Sequence, residues 1–317
     1  MTVAVPVEWW QHGGVPGLML LDTPSLYFRA FYGIPETVTA PDGTPVNAVR
    51  GLIDMIARLV TDRRPERLVC CMDANWRPDF RVAALPSYKA HRVAHDDVEE
   101  TPSSLEDQLP VIDDVLDALG LVRLEAAGYE ADDVIGTLAT GYGHGGPVDV
   151  VTGDRDLFQL VDERGPVLIL YTARGIRNLQ ILGEGEVAAK YGIPGRGYAD
   201  FATLRGDPSD GLPGVPGIGE KTAASLVTRF GTVENMLAAI DSGVTDGFPA
   251  GSRLKLAGAR EYLAAAETVV RVVTDITLPD FDDRLPDTPR DPERLIELVD
   301  RWNLSSPVNR LLKALAR

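Results

Sequence analysis

The sequence Gly-Tyr-Glu-Ala-Asp-Asp occupies residues 128–133, and Thr-Gly-Asp-Arg-Asp follows at residues 152–156. Together the two segments place five carboxylates within one predicted strand-helix-strand unit. Close pairs of like charges repel by roughly 4 kcal/mol at an effective dielectric constant near 20, so we expect cations to neutralise this cluster. The five acids are Glu130, Asp132, Asp133, Asp154 and Asp156.

Elsewhere, short apolar runs also end at or near an acid. Such runs precede Asp22, Asp73 and Asp154, and near-continuous apolar runs of this length predict buried strands of a parallel sheet. Ligands of open α/β sheets collect at the carboxyl ends of the strands. We therefore expect carboxylates from three strands to meet there, beside the acids at 130–133. Carboxylate oxygens suit Mg²⁺ or Mn²⁺, and the number of acids favours two ions over one.

Other interpretations of single acids stay open. Acids at a helix start, such as Asp132 and Asp133, also complement the positive end of the helix dipole. Asp156 is equally typical of the first turn of a short helix. The convergence of the strand-end acids is what favours a metal site over these interpretations.

Composition limits the class of protein. The chain has 317 residues, and 47 acids against 31 bases give a formal net charge of -16, which alone argues against nucleic-acid binding unless the bases are clustered. The adjacent Cys70 and Cys71 cannot form a disulfide of normal geometry. No apolar run approaches about 18 residues and no basic segment precedes one near residue 1, so we expect no membrane span and a cytoplasmic protein.

The secondary-structure pattern alternates strands and helices over the first half and becomes mainly helical later. This predicts an α/β fold with a mostly parallel central sheet flanked by helices. The predicted helices cover residues 46–59, 105–119, 183–191, 220–229, 233–240, 253–273 and 292–316.

A segment rich in basic and aromatic residues follows the second strand. Basic groups can neutralise phosphates while aromatic faces stack on exposed bases, which is typical of a single-stranded nucleic-acid channel. The alternative is a solvated loop whose aromatics pack into the core. The bases are Arg77, Arg81, Lys89 and Arg92, and the aromatics are Trp76, Phe80 and Tyr88.

Residues 204–223 combine acids with a glycine-rich turn. Asp207 and Asp210 precede alternating glycines and prolines that open into a predicted helix. Backbone N–H groups in a Gly-Ile-Gly turn at a helix N-terminus can hold a phosphate without reading a base, and Lys221 adds positive charge. A helix-loop-helix that serves packing alone is the alternative.

Four motifs resemble one known family. They are the segments at 128–133 and 152–160, Leu-Pro-Ser-Tyr-Lys-Ala-His-Arg at 85–92 and Pro-Gly-Val-Pro-Gly-Ile-Gly-Glu-Lys-Thr-Ala at 213–223. Over residues 18–278 the chain is similar to the bacterial 5′ nucleases related to flap endonucleases. These occur as free-standing enzymes or as the N-terminal domain of DNA polymerase I. No polymerase region follows, so we expect the nuclease to act alone, as a monomer.

The resemblance implies a PIN-like 5′-nuclease fold in three parts. Residues 1–17 form an N-terminal extension, and residues 18–182 form the α/β core with a helical arch at about 76–104. Residues 183–317 form a helical DNA-binding region, in which residues 206–230 make a helix-3-turn-helix element.

The resemblance also assigns site residues. The first metal set is Asp22, Asp73, Glu130 and Asp132, and the second is Asp133, Asp154, Asp156, Asp207 and Asp210. The catalytic residues are Lys89, Arg92, Asp133 and Asp154. The predicted DNA contacts combine the resemblance with the basic-aromatic segment and the glycine-rich turn. They are Arg77, Phe80, Arg81, Tyr88, Lys89, Arg92, Gly214, Gly217, Ile218, Gly219, Lys221 and Thr222, and the resemblance adds a K⁺ ion held by main-chain carbonyls of the turn at 214–219.

The implied activity is that of a 5′ exonuclease and flap endonuclease with two or three Mg²⁺ or Mn²⁺ ions and a two-metal mechanism. Its expected substrates are flaps, nicks and RNA primer ends, in replication primer removal and DNA repair. Two departures from the family pattern stand out: Thr23-Pro24 replaces glycine and a small polar residue, and Gly211 replaces asparagine. Two alternatives are a non-catalytic DNA-structure binder and a Mg²⁺-dependent phosphatase or ribonuclease.

Overall fold

The computed structural model describes residues 17–95, 98–141, 146–162 and 166–316. The predicted N-terminal extension therefore lies outside the described residues, apart from Gly17. The strands in the described ranges are β1 (Leu18–Asp22), β2 (Arg67–Cys71), β3 (Val93–His95), β4 (Val98–Glu99), β5 (Val122–Leu124), β6 (Val148–Thr152), β7 (Val167–Tyr171) and β8 (Gln180–Leu182).

One six-stranded sheet forms the centre of the fold. Its strand order is β5-β2-β1-β6-β7-β8. The first five of these strands pair in parallel and β8 pairs antiparallel with β7, while β3 and β4 form a separate hairpin. The predicted α/β fold with a mostly parallel sheet is confirmed.

Strand β1 has a continuous apolar run because both of its faces are buried. Leu18 and Leu20 point into one hydrophobic cluster, and Met19 and Leu21 point into another on the opposite face of the sheet. All four side chains are at most 1% exposed. Burying a leucine or methionine in this way contributes about 2 kcal/mol, so both faces of the strand favour its central position.

Helices cover both faces of the sheet. Those within the described ranges are α1 (Thr23–Gly33), α2 (Asn47–Arg63), α3 (Asp79–Ala84), α4 (Ser103–Glu106), α5 (Leu109–Leu119), α6 (Ala131–Gly141), α7 (Glu184–Tyr191), α8 (Tyr198–Arg205), α9 (Glu220–Phe230), α10 (Val233–Asp241), α11 (Ser252–Gly258), α12 (Arg260–Val270), α13 (Pro292–Trp302) and α14 (Ser305–Leu315). Among them we find no helix that combines the length and the apolar character needed to cross a bilayer.

Three predicted helices are each split in two. The helix predicted over 105–119 breaks between α4 and α5, where Pro110 stands in the first turn of α5 and lacks an N–H group. The helix over 292–316 breaks at Asn303, whose φ of 55° is left-handed and ends α13. The helix over 253–273 breaks at Ala259, between α11 and α12.

The last part of the chain returns to the α/β core. The backbone N–H of Leu68 donates to the carbonyl of Asp283, and that of Leu285 donates to the carbonyl of Glu66. Helices α13 and α14 then pack on α5 and α2 respectively. Residues 292–315 thus belong with the core in space, and the predicted boundary at 182/183 stays a prediction.

The predicted arch region, residues 76–104, contains little helix in its described part. It consists of α3, a 3₁₀ turn at Ala90–Arg92, the β3–β4 hairpin and the start of α4. Residues 96–97 lie outside the described ranges. The segment follows β2 directly, so it starts at the carboxyl edge of the sheet.

Candidate active site

The strand-end acids meet at one edge of the sheet. Asp22 is the last residue of β1, Asp73 lies two residues beyond β2, and Asp154 lies two residues beyond β6. These three strands are neighbours in the sheet. With Glu130 and Asp132 at the start of α6, the three aspartates line a cleft of about 970 Å³.

Hydrogen bonds fix the acids at the ends of β1 and β6. Asp22 Oδ2 accepts from Thr152 Oγ1 at 2.6 Å, and Asp22 Oδ1 accepts from the Ser25 N–H at 3.2 Å. Thr152 Oγ1 in turn accepts from the Asp154 N–H at 2.8 Å. The buried Thr152 hydroxyl therefore joins two of the predicted metal ligands.

The acids at the start of α6 have different partners. Asp73 Oδ1 accepts from the Ala131 N–H at 2.7 Å, which holds the helix start against β2. Glu130 Oε2 accepts from Tyr88 Oη at 2.6 Å and from Arg81 Nη1 at 2.5 Å, and Glu130 Oε1 accepts from Lys89 Nζ. Glu130 is thus a buried acceptor for three side chains.

Asp133 does not line the cleft, contrary to its predicted role in metal binding and catalysis. Arg81 Nη2 donates to Asp133 Oδ1 at 2.6 Å and Arg81 Nη1 donates to Asp133 Oδ2 at 2.9 Å. The Val273 N–H also donates to Oδ1 at 2.9 Å. The carboxylate is fully buried in these contacts, because the rotation of α6 turns it away from Asp132.

A second group of acids lies beyond Asp154. Burial, with the charges of Asp154 and Asp210 next in importance, raises the pKa of Asp156 well above its ordinary value. Burial and the charge of Asp154 raise the pKa of Asp210 to about 6. Asp207 accepts hydrogen bonds from Ser209 and forms ion pairs with arginines. The predicted second metal set is therefore clustered, except for Asp133.

Burial also raises the pKa values of acids that line the cleft. It raises the pKa of Asp22 from 3.8 to about 7, with smaller contributions from the charges of Asp73 and Asp154. It raises the pKa of Asp73, and it raises the pKa of Asp132 well above the ordinary range with help from Asp22 and Asp154. Packing these carboxylates together is unfavourable when they are charged and no cation is near.

The oxygen donors of the site suit a hard cation, but their side chains are not arranged to coordinate one directly. No three His, Cys, Asp or Glu side chains of the described residues stand close enough together to ligate one ion directly. However, Oδ1 of Asp156 is buried and finds no hydrogen-bond partner within the described structure. An all-oxygen set with an unpaired oxygen suits Mg²⁺ or Mn²⁺ with water completing the shell.

Three cationic side chains line the same cleft. Lys89 Nζ also donates to the Trp76 carbonyl at 3.2 Å, and Arg92 Nη2 donates to the Ser209 carbonyl at 2.9 Å. The third is Arg29 of α1, whose buried Nε has no hydrogen-bond partner in the part of the chain that is described. The cleft thus combines clustered acids with bases at its wall.

Several predicted DNA contacts are buried instead. Tyr88 is 4% exposed and Arg81 is 2% exposed, so neither side chain can reach a nucleic acid in this conformation. Arg77 Nε donates to the Tyr88 carbonyl at 2.7 Å, and the half-buried Phe80 packs on Tyr129. The alternative that these side chains support the loop describes them better.

The turn before α9 contains both buried and exposed glycines. Gly214 is buried and its N–H donates to Tyr262 Oη at 3.0 Å, and Ile218 is 4% exposed in the core. Gly217 and Gly219 are exposed, as is Lys221, and Thr222 is half-buried. No side chain of the described residues caps α9, so its first-turn N–H groups are open to a ligand.

Arg29, Thr152 and Ser25 were not among the predicted site residues. Ser25 and Arg29 follow Asp22 by three and seven residues, a spacing that places all three on one helix face and was a usable signal. Gly153 allows the close approach, because a Cβ there would lie 2.8 Å from Ser25 Oγ and 3.4 Å from Arg29 Nη2. Thr152 carried no such signal.

Comparison with known proteins places the chain in a family. Residues 17–192 match the family described as 5′-3′ exonuclease, N-terminal resolvase-like domain, and residues 193–293 match 5′-3′ exonuclease, C-terminal SAM fold. A 5′-3′ exonuclease of Streptomyces coelicolor is 56% identical over 305 residues, which cover 94% of this chain and 99% of that protein. One of Mycobacterium tuberculosis is 51% identical over 311 residues, which cover 94% and 97%.

The fold is also shared with a solved structure. A variant of the bacteriophage T5 D15 flap endonuclease, in a pseudo-enzyme-product complex with DNA and metal ions, aligns with a TM-score of 0.61. The sequences are 17% identical, and the alignment covers 95% of this chain and 100% of that chain. The resemblance drawn from the four motifs is confirmed: the chain belongs to the 5′-3′ exonuclease family and is a nuclease that hydrolyses phosphodiester bonds.

Proposed function

We propose that this chain is a structure-specific 5′ nuclease that cuts DNA near the junction of a 5′ single strand with duplex, as an exonuclease and as a flap endonuclease. Its substrates are flaps, nicks and RNA primer ends, in replication primer removal and DNA repair. It acts as a monomer in the cytoplasm. The observation that carries the proposal is one cleft in which acids from three adjacent strands face Lys89, Arg92 and Arg29.

The proposal includes at least two divalent ions, Mg²⁺ or Mn²⁺. One set consists of Asp22, Asp73, Glu130 and Asp132, and the second consists of Asp154, Asp156, Asp207 and Asp210. The unpaired Asp156 Oδ1 and the raised pKa values of Asp22 and Asp132 support this assignment, as does the metal-containing complex of the T5 protein. Such ions, when bound, activate water and stabilise the attacking and leaving oxygens of a phosphodiester.

The chain's own residues position the reactants. Thr152 orients Asp22 and Asp154, and Glu130 holds Lys89 at the wall of the cleft. Lys89 and Arg29 can then donate to phosphate oxygens on which negative charge develops. Preorganised donors of this kind lower a barrier because they need no reorganisation during the reaction.

The start of α9 supplies a sequence-independent grip on the duplex. The exposed backbone of Gly217 and Gly219, the side chain of Lys221 and the N-terminus of α9 suit a phosphate. A K⁺ ion in this turn remains part of the proposal. Gly217 is poorly suited as its ligand, since its carbonyl already accepts from Lys255 Nζ at 2.8 Å.

Product mapping tests the proposal. A DNA with a labelled 5′ flap would be incubated with the protein and Mg²⁺ or Mn²⁺, and we expect cuts within a few nucleotides of the junction. Replacing Lys89 by Ala should lower kcat by about 100-fold and change the Kd for the flap DNA much less. If kcat falls and Kd rises by the same factor, Lys89 contributes to DNA binding and not to catalysis.

Two results would contradict the assignment. Tight flap binding with no cleavage under either ion would favour a non-catalytic DNA-structure binder. Hydrolysis of a small phosphate ester as fast as the flap would favour a phosphatase, because such an enzyme needs no duplex grip at α9.

A further inference from the structure

Two segments that are distant in sequence meet beside the cleft. We call residues 87–92 the arch base and residues 207–212 the acid loop. Four hydrogen bonds join them: the Lys89 N–H to the Asp210 carbonyl at 3.1 Å, Ser87 Oγ to the Gly211 carbonyl at 2.9 Å, and Arg92 Nη2 to the Ser209 carbonyl at 2.9 Å and to Asp210 Oδ1 at 3.4 Å.

Gly211 makes this approach possible. Its φ is +75°, and a Cβ built on it would lie 2.1 Å from the carbonyl oxygen of Ser87. That oxygen is main-chain, so a side chain at position 211 could be accommodated only if the arch base moved. The contact therefore requires glycine for its backbone angle and for the space.

The same contact fixes Lys89. This residue has a φ of +48°, which is uncommon for a residue with a side chain. Its N–H is held by the acid loop, while its Nζ points to Glu130 and the Trp76 carbonyl inside the cleft. The direction of the Lys89 side chain thus depends on where the acid loop holds its backbone.

The acid loop also leads directly into the turn before α9. The Val215 N–H donates to the Leu204 carbonyl at 2.9 Å, which closes the segment that contains the acid loop. The acid loop therefore connects the proposed duplex grip to the segment that carries Lys89.

We propose that Gly211 and Ser87 are positioning residues that hold Lys89 over the cleft by docking the arch base on the acid loop. The proposal rests on the proposed nuclease function for its effect on turnover, and on the observed contact alone for its effect on the arch base. The two parts are measured separately.

The test compares Gly211→Ala with Gly243→Ala. Gly243 has a similar φ of +82° but nothing within 4 Å of a built Cβ, so it controls for the backbone strain. On flap DNA we expect Gly211→Ala to lower kcat by about 10-fold or more with KM changed less than about 3-fold, because small misplacements of catalytic groups are costly. Gly243→Ala should match the wild type.

A second readout does not require activity. Limited trypsin digestion, followed by mass spectrometry, measures cleavage after Lys89 and Arg92, and we expect about 5-fold faster cleavage there in Gly211→Ala because an undocked segment opens more often. Wild-type kcat and wild-type digestion in Gly211→Ala would overturn the proposal. An inactive wild-type protein would instead contradict the proposed function and leave the digestion result to decide the docking.

Ser87 provides the milder variant if Gly211→Ala does not fold. Ser87→Ala removes only the hydrogen bond to the Gly211 carbonyl and should lower kcat about 3-fold, with faster digestion, whereas Ser87→Thr keeps the hydroxyl and should restore both. If Ser87→Ala behaves as the wild type in both measurements, the docking has no positioning role and the proposal fails.

Discussion

Two neighbouring aspartates at the start of α6 occupy opposite environments. Asp132 lines the cleft, whereas Asp133 is enclosed by Arg81 and the Val273 backbone. The sequence predicted both as metal ligands, because an acidic pair at a helix start looks the same from either side. Which acid faces the cleft depends on the rotation of α6 against the sheet and on an arginine 52 residues earlier. Neither is encoded in the local pattern.

An acid of the cleft and the enclosed Asp133 should respond differently to replacement by asparagine. Asp154→Asn should abolish cleavage while flap binding and the free energy of unfolding stay near wild-type values, since Asp154 lies at the cleft. Asp133→Asn should instead lower the free energy of unfolding by about 3 kcal/mol, because it breaks a buried ion pair. Urea unfolding and a cleavage assay on both variants check this. Loss of activity in Asp133→Asn at unchanged stability would restore its catalytic role.

The buried carboxylates also predict a pH dependence of the metal-free protein. In the folded protein the pKa of Asp22 is about 7, against 3.8 ordinarily. The unfolded chain releases this proton more readily, so stability falls as pH rises from about 4 to about 7, by up to about 4 kcal/mol. Urea unfolding in EDTA between pH 5 and pH 8 should show this decline.

Asp22→Asn provides the control for that measurement. The amide cannot ionise, so its stability should decline less steeply with pH than that of the wild type. A wild-type stability that rises steadily over the same range would show that Asp22 is not protonated in the metal-free fold.

Among the elements, α3 is linked to two other helices by one side chain. Arg81 donates from α3 to Glu130 and Asp133, and its Nε donates to the Val269 carbonyl of α12 at 3.1 Å. The interleaved bases and aromatics predicted a DNA contact here. Long-range partners converted this arginine into a buried link between three helices, and no periodicity within residues 75–92 shows such partners.

This link predicts a large stability effect. Arg81→Met fills the space but leaves the buried Asp133 without its cation and Glu130 with Lys89 alone, so we expect the free energy of unfolding to fall by about 3–5 kcal/mol. Arg58→Ala is the comparison, since Arg58 pairs with Asp62 at the surface and its side chain is 58% exposed. That change should cost less than about 0.5 kcal/mol. Similar urea midpoints for the two variants would contradict the role of Arg81.

Over the whole molecule, the sequence predicted the layered α/β fold and most of the strand-end acid cluster. Both follow from local apolar runs and the geometry of parallel sheets. The surface on which residues 292–315 pack was not predictable in the same way. Their amphipathic pattern indicates a helix with one buried face, but it does not say which surface covers that face, and the structure places it on α5 and α2.

The packing of α14 predicts that the end of the chain stabilises the nuclease core. Leu311 is completely buried against α2, and Leu311→Ala should lower the free energy of unfolding by about 3 kcal/mol. Ile296→Ala, at a side chain 62% exposed on α13, should change it by less than about 0.5 kcal/mol. Activity per folded molecule should be unchanged in both. Equal thermal midpoints for the two variants would show that α14 is dispensable.

The return of α14 to α2 has a consequence for biosynthesis. Helix α2 ends at Arg63 and its covering helix begins at Ser305, so about 240 residues must leave the ribosome in between. At elongation rates of about 5–20 residues per second this delay lasts roughly 10 to 50 s. During that time an apolar face of the nascent chain lies open, and a chaperone that shields it would bind the growing polypeptide before the cleft can be completed.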